Sequence, residues 1–315
     1  MRALAYDRYG PVDVLAVREV GTPRPRPSEV LVRVRAAALN PKDVMLRKGR
    51  FRVLSGTRFP KIVGLDFAGE IVDLGPGTRG HRQGDRVFGG FNHWSALRGT
   101  VAEYVVASTR GLAPMPLTCS FEEAATIPIA GSTALQALRD LARVGPGDRI
   151  CIHGASGGVG TFAIQIAKAL GAHVTTTSGA ASLALCEALG ADEALDYAIA
   201  DPFSGDHVFR VVFDVFGNRS LSMVRRGLAA DGIYVTTVPS RRIFLDAAST
   251  LMRRPRARLV VVRLRTADLE CLARFVEDGR LRPHIDRIVS LADAVEAVRY
   301  LETRHAHGKV VIRIE

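Results

Sequence analysis

The stretch Arg149-Ile-Cys-Ile-His-Gly-Ala-Ser-Gly-Gly-Val-Gly160 decides the architecture. Arg149 to His153 is a short β-prone run in which polar and apolar residues alternate. Glycines follow at 154, 157, 158 and 160, and an apolar-periodic segment begins at once. That order reads as strand, tight turn and helix. Phe162, Ile166 and Ala169 make one helical stripe, Ala163, Ala167 and Leu170 lie beside it, and Gly171 stops the helix. A second strand is expected over His173 to Thr177. Glycines in the turn let the backbone approach a pyrophosphate closely, and the first N–H groups of the helix point their positive dipole end at its charge. The match is shifted, Ala155-x-Gly157-x-x-Gly160, and its context supports it: a strand before, a helix after, and a further strand within about thirty residues. Ala155, Ser156, Gly157, Gly158, Val159 and Gly160 are therefore the expected dinucleotide loop.

A chain of 315 residues is long for one small core and suggests two domains. Hydrophobic residues at 47% and charged residues at 24% suit a globular protein. No apolar run is long enough to span a membrane, and Met-Arg-Ala-Leu-Ala-Tyr-Asp lacks the apolar core of a signal peptide, so a cytoplasmic location is expected. Cys119, Cys151, Cys186 and Cys271 stand singly among apolar residues. They read as buried reduced thiols, not as a disulfide framework or a zinc lobe. The net charge of +11 comes from arginine, because the lysines are only Lys42, Lys48, Lys61, Lys168 and Lys309. Such charge raises nucleic-acid binding as a class, yet the arginines are scattered, aromatics are sparse and no recognition motif appears. The densest cluster, Arg253, Arg254, Arg256 and Arg258, reads as a solvated loop or as a docking patch for an anionic partner such as a carrier-bound or coenzyme A thioester.

Taken in order, Arg2 to Tyr6 and Val14 to Glu19 predict a hairpin, and Thr22-Pro-Arg-Pro-Arg-Pro27 an extended connector, since proline lacks the N–H a strand needs. Val30 to Ala37 alternates cleanly, and Asn40-Pro41-Lys42-Asp43 starts a short helix. Residues to about 118 are expected to be mostly β. From about Ser120 helix and strand alternate. Helices are expected over Phe121 to Ala125, Thr133 to Leu141, Ser182 to Leu189 and Ser220 to Leu228. Strands are expected over Glu193 to Tyr197, Val211 to Val215, Gly232 to Val238 and Leu259 to Arg263, giving a doubly wound parallel sheet. The last fifty residues predict helix Thr266 to Asp278, strand Ile285 to Val289, helix Leu291 to Thr303 and strand Lys309 to Ile314, a return to the first domain. The expected division is 1–118, 119–264 and 265–315.

Linked motifs along the chain resemble the medium-chain dehydrogenase/reductase superfamily, in particular the zinc-independent quinone oxidoreductase branch that includes the zeta-crystallins. They are Asn40-Pro-x-Asp43, Val63-Gly-Leu-Asp-Phe-Ala-Gly-Glu-Ile-Val72, Gly84-Asp-Arg-Val87, Ala130-Gly-Ser-Thr-Ala134, the glycine-rich turn with Ala163 to Ala172, Leu189-Gly-Ala-Asp192 and Gly308-Lys-Val-Val311. The resemblance implies an α/β protein: a Rossmann doubly wound parallel sheet, plus a GroES-like mostly β catalytic domain made from both ends of the chain. It also implies NAD(P)H, a small-molecule substrate, a cleft where the two meet, and a homodimer joined through the Rossmann domains, with Gly232 to Val238 as the candidate edge. Zinc-dependent relatives carry a Cys and a His at positions falling near Pro41 and Asp66, and a soft tetrahedral site cannot be built from those residues. No metal is expected, and hydride transfer to an acceptor is expected in preference to alcohol oxidation.

An acidic residue at the end of the second strand would bind a ribose 2′-OH and repel a 2′-phosphate. Thr177, Ser178 and Gly179 stand there, which favours NADPH over NADH, although helix-entry capping accounts equally well for the two hydroxyls. Relatives carry a basic residue where Ser182 stands. Tyr197 and Arg313 match positions that line the adenosine phosphate, Thr133 a position near the nicotinamide, and Asp214, Gly217 and Val238 the cofactor edge of the sheet. For Thr133 the alternative is capping by Ser132 or Thr133 itself. Asn40, Asp43 and Asp66 are the candidate catalytic residues. On residue type alone Asn40 is also a helix cap, Asp43 a surface charge and Asp66 a buried carboxylate bonded to backbone N–H groups. Lys42 and His93 are further candidate proton donors. Met45 stands where quinone oxidoreductases typically carry a tyrosine. The expectation is an NADPH-dependent reductase passing hydride to a quinone or another electron-poor carbonyl acceptor. The alternative acceptor is the C=C bond of an enone, enal or enoyl thioester, and from a different class the chain could be a non-catalytic NADPH-binding sensor or a nucleic-acid-binding relative.

Overall fold

The computed structural model describes residues 1–91, 98–204 and 208–315. It divides into two compact units, Met1–Ser132 with Arg263–Gly279 and Pro283–Glu315, and Thr133–Val262 with Arg280–Arg282. Among the described residues no helix is long and apolar enough to cross a membrane.

The second unit holds the glycine-rich stretch. Its six-stranded sheet runs Glu193–Asp196, His173–Ser178, Arg149–His153, Phe209–Asp214, Leu228–Thr236 and Arg256–Leu259, with every neighbouring pair parallel. Ile150, Cys151 and Ile152 are fully buried because a parallel strand is covered on both faces. The helix Gly158–Ala169 buries Phe162, Ala163, Ile166 and Ala167 of the expected stripes, while Ala169 and Leu170 at its end are half-buried.

Two expectations fail at the far edge. Leu228–Thr236 is an inner strand, flanked on both sides, and the edge strand is Arg256–Leu259, ahead of the expected Leu259 to Arg263. The strand is only four residues long and follows Arg253-Arg254-Pro255, so its two arginines read as part of the charged loop cluster. Ala257 between them is fully buried, in register with Tyr234. The ladder then ends where the Val260 N–H donates to the Thr236 carbonyl at 2.9 Å. The helix Arg241–Ser249 has no counterpart among the sequence expectations; Ser240 caps it, its Oγ accepting from the Ile243 N–H at 3.2 Å.

In the first unit a sheet runs Ile285–Ser290, Lys309–Arg313, Glu29–Ala38, Asp66–Leu74, Arg86–Gly90 and Leu112–Pro114, with Tyr104–Ser108 also paired to Glu29–Ala38. The expected hairpin is there, Arg2–Tyr6 against Ala16–Glu19. Leu4, Val30, Val32, Phe67, Ile71, Val310 and Ile312 share one core, so strands from the start and the end of the chain are stitched by common burial.

A single helix, Phe121–Leu135, continuing as a wider π-type turn over Gln136–Leu141, replaces the two expected helices. Pro128 lies inside it. Proline lacks the N–H donor and its ring crowds the preceding turn, so a helix break is the natural reading of this segment. The helix persists because Ile127, Ala130, Ala134 and Leu135 on both sides are buried. Ser132 and Thr133 consequently sit in mid-helix, and neither caps it.

Candidate active site

In the first unit four polar side chains meet inside the core. The long strand Glu29–Ala38 delivers the chain to Asn40, which caps the helix Pro41–Arg47, with proline at the first helical position where its missing N–H costs nothing. Three residues on, the Asp43 carboxylate turns back to accept the Asn40 N–H at 2.8 Å. Asn40 and Asp43 are each 5% exposed, which overturns the reading of Asp43 as a surface charge. The Asn40 amide is bound at both ends. Its Nδ2 donates to Asp66 Oδ2 at 2.9 Å, and its Oδ1 accepts from Lys309 Nζ at 2.8 Å. Lys309 Nζ also reaches Asp66 Oδ2 at 3.1 Å, and the Ile129 N–H, just past Pro128, donates to Asp66 Oδ1 at 2.9 Å. The expected backbone bond to a buried Asp66 is therefore present, beside two side-chain partners that its local sequence does not announce.

Sequence reasoning misses Lys309 as a site residue, since it enters there only within a strand motif. Yet a lone lysine among β-branched residues is itself a signal, because an ammonium is buried only where partners hold it.

Burial raises the Asp43 carboxyl to about 7, helped by Asp66 and opposed by the Asn40 N–H, Lys309 and Lys42. Burial also raises Asp66, against Lys309, the Asn40 amide and the Ile129 N–H. Lys42 is half-buried and its pKa is lowered by burial, with Asp43 opposing. Asp43 lines a small recess together with Tyr6, Leu46, Ile62, Val63, Gly64 and Leu65. A carboxyl that exchanges its proton near neutrality beside a mostly apolar recess can serve as a general acid or base. The expected candidate His93 lies outside the described residues.

The carboxyl edge of the second unit's sheet gathers most of the expected cofactor residues. Gly154 has φ +80°, in the left-handed region, and a Cβ there would sit 2.9 Å from Phe216. A Cβ on Gly160 would sit 2.4 Å from the Ala155 carbonyl oxygen, whereas one on Gly157 would meet only the Gly154 oxygen at 3.8 Å. Glycine at 160 is thus required by the packing of turn on helix, while 157 leaves room over the helix start, Gly158, Val159 and Gly160, whose N–H groups have no carbonyl one turn earlier. Ala155 is fully buried and Ser156 half-buried. This is a cradle of the shape and polarity a pyrophosphate needs.

The neighbouring loops are equally fixed. Gly217 has φ +81°, and a Cβ on it would lie 2.3 Å from Val238. The Asp214 carboxylate accepts from the Gly217 N–H at 2.7 Å and the Arg219 N–H at 2.9 Å, so it shapes the loop. Thr177 and Ser178 are buried, and neither caps the helical turn that begins at Ala180. The Thr177 hydroxyl lies 2.6 Å from His153 Nδ1. Ser182, also buried, precedes the helix Leu183–Ala188, and the exposed Tyr197 stands beside Gly179. Thr133 is buried, and next to it Ser132 Oγ is buried with no partner among the described residues. Arg313 belongs to the first unit, where it pairs with Glu122 at 2.6 Å. Of the arginine cluster, Arg253 and Arg254 are exposed in a turn, while Arg256 and Arg258 lie on the edge strand, so the cluster is only half a loop.

Residues 26–117 match the model of the alcohol dehydrogenase GroES-like domain, and residues 189–312 that of the zinc-binding dehydrogenases. Among curated proteins the chain is 33% identical to a chloroplast envelope quinone oxidoreductase homolog of Arabidopsis thaliana, covering 99% of this chain and 98% of that one. The chain is a medium-chain dehydrogenase/reductase. Within that superfamily it falls in the quinone-oxidoreductase-like branch. It is also 34% identical to the 2-methylene-furan-3-one reductase of Solanum lycopersicum, over 99% of this chain and 79% of that one. The structure of a quinone oxidoreductase from Coxiella burnetii superposes with a TM-score of 0.91 at 33% identity, covering 100% of this chain and 99% of that one. Both expected folds, the Rossmann sheet and the GroES-like body, are those of this superfamily. Among the described residues no three His, Cys, Asp or Glu side chains converge where they could hold a metal ion.

Proposed function

We propose that the protein is an NADPH-dependent reductase that passes hydride, without zinc, to an electron-poor conjugated acceptor: a quinone, or the C=C bond of an enone, enal or enoyl thioester. When bound, the nicotinamide supplies the hydride. The Gly154 to Gly160 turn holds the pyrophosphate by backbone N–H groups, with Gly217 and Val238 bordering the cofactor edge. Thr133 is assigned to the nicotinamide end, and Tyr197 to the adenosine end. NADPH is preferred because no carboxylate stands in Gly179 to Ser182 to repel a 2′-phosphate.

Metal chemistry is disfavoured by the donor set itself. Asn40 Oδ1 and Asp66 Oδ2 already surround the Lys309 ammonium, and a zinc ion at those oxygens would meet that charge.

The observation that favours the C=C acceptor is the buried Asp43 carboxyl, raised to about 7 and facing a recess with apolar walls. Hydride arriving at the β-carbon of an enone leaves an electron pair at the α-carbon, and Asp43 supplies the proton that takes it up. Quinone reduction needs no such carbon acid.

The test is nucleotide oxidation by metal-free protein with an ortho-quinone and an α,β-unsaturated ketone side by side, in deuterated water for the second. NADPH should be oxidised faster than NADH, with solvent deuterium at the α-carbon of the reduced ketone. Turnover that requires added zinc, or no turnover with either acceptor, would sink the proposal.

A further inference from the structure

The strand Arg149–His153 ends on a buried imidazole that touches the ends of both neighbouring strands. His153, 4% exposed, places Nδ1 at 2.6 Å from Thr177 Oγ1 and Nε2 at 2.7 Å from Asn218 Oδ1. Asn218 Oδ1 is an acceptor only, so Nε2 carries the proton and Nδ1 accepts from the Thr177 hydroxyl. Burial lowers the pKa of the ring, which holds it in this neutral form. The backbone adds to the same knot. The Thr177 carbonyl accepts from the Gly154 N–H at 3.1 Å and the Ala155 N–H at 3.2 Å, and the His153 carbonyl accepts from the Val215 N–H at 3.0 Å.

A parallel sheet has no backbone ladder beyond the ends of its strands. Past that point the loops that leave its carboxyl edge have only a few backbone bonds, such as those to Thr177 and His153, and side chains that tie one strand end to the next add to their spacing. Here a single side chain ties three: the end of His173–Ser178, the entry to the glycine-rich turn, and the loop after Phe209–Asp214. Asp214 already fixes that last loop from within, through the Gly217 and Arg219 N–H groups. The imidazole therefore spans two pre-formed loops.

We infer that His153 is a positioning residue for the dinucleotide. Its two hydrogen bonds hold the glycine-rich turn between Thr177 and Asn218 in the spacing that a bound pyrophosphate and adenosine require. This rests on the reading of that edge as the nucleotide site. His153 itself touches no reacting atom, so its removal weakens nucleotide binding without slowing the chemistry.

Three substitutions separate the two bonds. Asn at 153 puts an amide near Nδ1 and keeps the Thr177 arm, Gln puts one near Nε2 and keeps the Asn218 arm, and Leu keeps neither. NADPH dissociation constants would be measured by calorimetry on the protein without acceptor, with kcat at saturating NADPH and the unfolding midpoint of the nucleotide-free protein. Each lost neutral bond is expected to weaken binding by about tenfold or somewhat less. His153→Leu should thus bind most weakly, His153→Asn and His153→Gln in between, and all three should keep the wild-type kcat. Should His153→Leu fail to fold, the Asn and Gln variants carry the test. An unfolding midpoint that falls while the dissociation constants stay at the wild-type value would overturn the inference and leave the nucleotide site intact, with His153 a core residue only. Wild-type protein that binds neither NADPH nor NADH would overturn the site assignment beneath it.

Discussion

Each unit buries a polar cluster, and the two are built on opposite electrostatic plans. Asn40, Asp43, Asp66 and Lys309 bring two carboxyl groups and an ammonium together, all four side chains buried. His153, Thr177, Asn218 and Asp214 are a neutral ring, two uncharged side chains and one carboxylate that accepts from two backbone N–H groups and the Tyr234 hydroxyl. In the first cluster burial and a neighbouring carboxyl raise Asp43 to about 7, whereas in the second burial lowers the His153 pKa and keeps the ring neutral. Under the proposed function the difference is a division of labour: proton chemistry in the first unit, nucleotide placement in the second.

The most severe way to break the second half of that comparison is Gly160→Val. The new Cβ would meet the Ala155 carbonyl at 2.4 Å, a backbone atom that cannot swing away, so the turn and the helix start must separate. NADPH binding measured by calorimetry should weaken by two orders of magnitude or more, on the scale of about 3 kcal/mol, while the first unit's cluster is untouched. Binding within a few-fold of wild type would mean that the glycine turn is not the pyrophosphate cradle.

Lys309→Met probes the charged half. It removes the ammonium and leaves Asp66 buried without its counter-charge, and breaking a buried pair in this way costs about 3–5 kcal/mol. Denaturant unfolding should show a loss of that size, partly recovered in Lys309→Met combined with Asp66→Asn. A loss below about 1 kcal/mol, the range of exposed ion pairs, would show that the pair is solvated and that the first unit is not the low-dielectric site proposed.

Much of this architecture is legible in the sequence. Glycine spacing and an apolar-periodic segment expose the turn at 154–160 because sterics and burial dictate them: a Cβ at 160 would meet the Ala155 backbone, and the helix that follows is buried from Gly160 to Ala167. The edge strand Arg256–Leu259 is obscure because it is four residues long and only Ala257, between two arginines, is fully buried. The unbroken helix through Pro128 is obscure because burial of its flanks overrides a local rule. Lys309 and His153 escape notice for a third reason. Their partners lie 269 and 243 residues away for Lys309, and 24 and 65 residues away for His153, so no local pattern announces them. Asn40, Asp43 and Asp66 can be named from motifs, but only three-dimensional contact reveals that Asp43 is buried and that its proton is held to about 7.

The most direct measurement is NADPH affinity and turnover of Asp43→Asn, side by side with wild type, across pH 5 to 9 with an enone acceptor. Asparagine still accepts the Asn40 N–H, so the helix cap survives, but it has no proton to give. Wild-type kcat should be level below about 7 and fall as pH rises through it, because the raised carboxyl is protonated, and able to donate, on the acid side. The variant should hold NADPH with an unchanged dissociation constant, lose about a hundredfold in kcat, and show no such fall with pH. A variant that turns over at the wild-type rate with the same pH profile, or one that loses NADPH affinity in step with kcat, would contradict the division of labour.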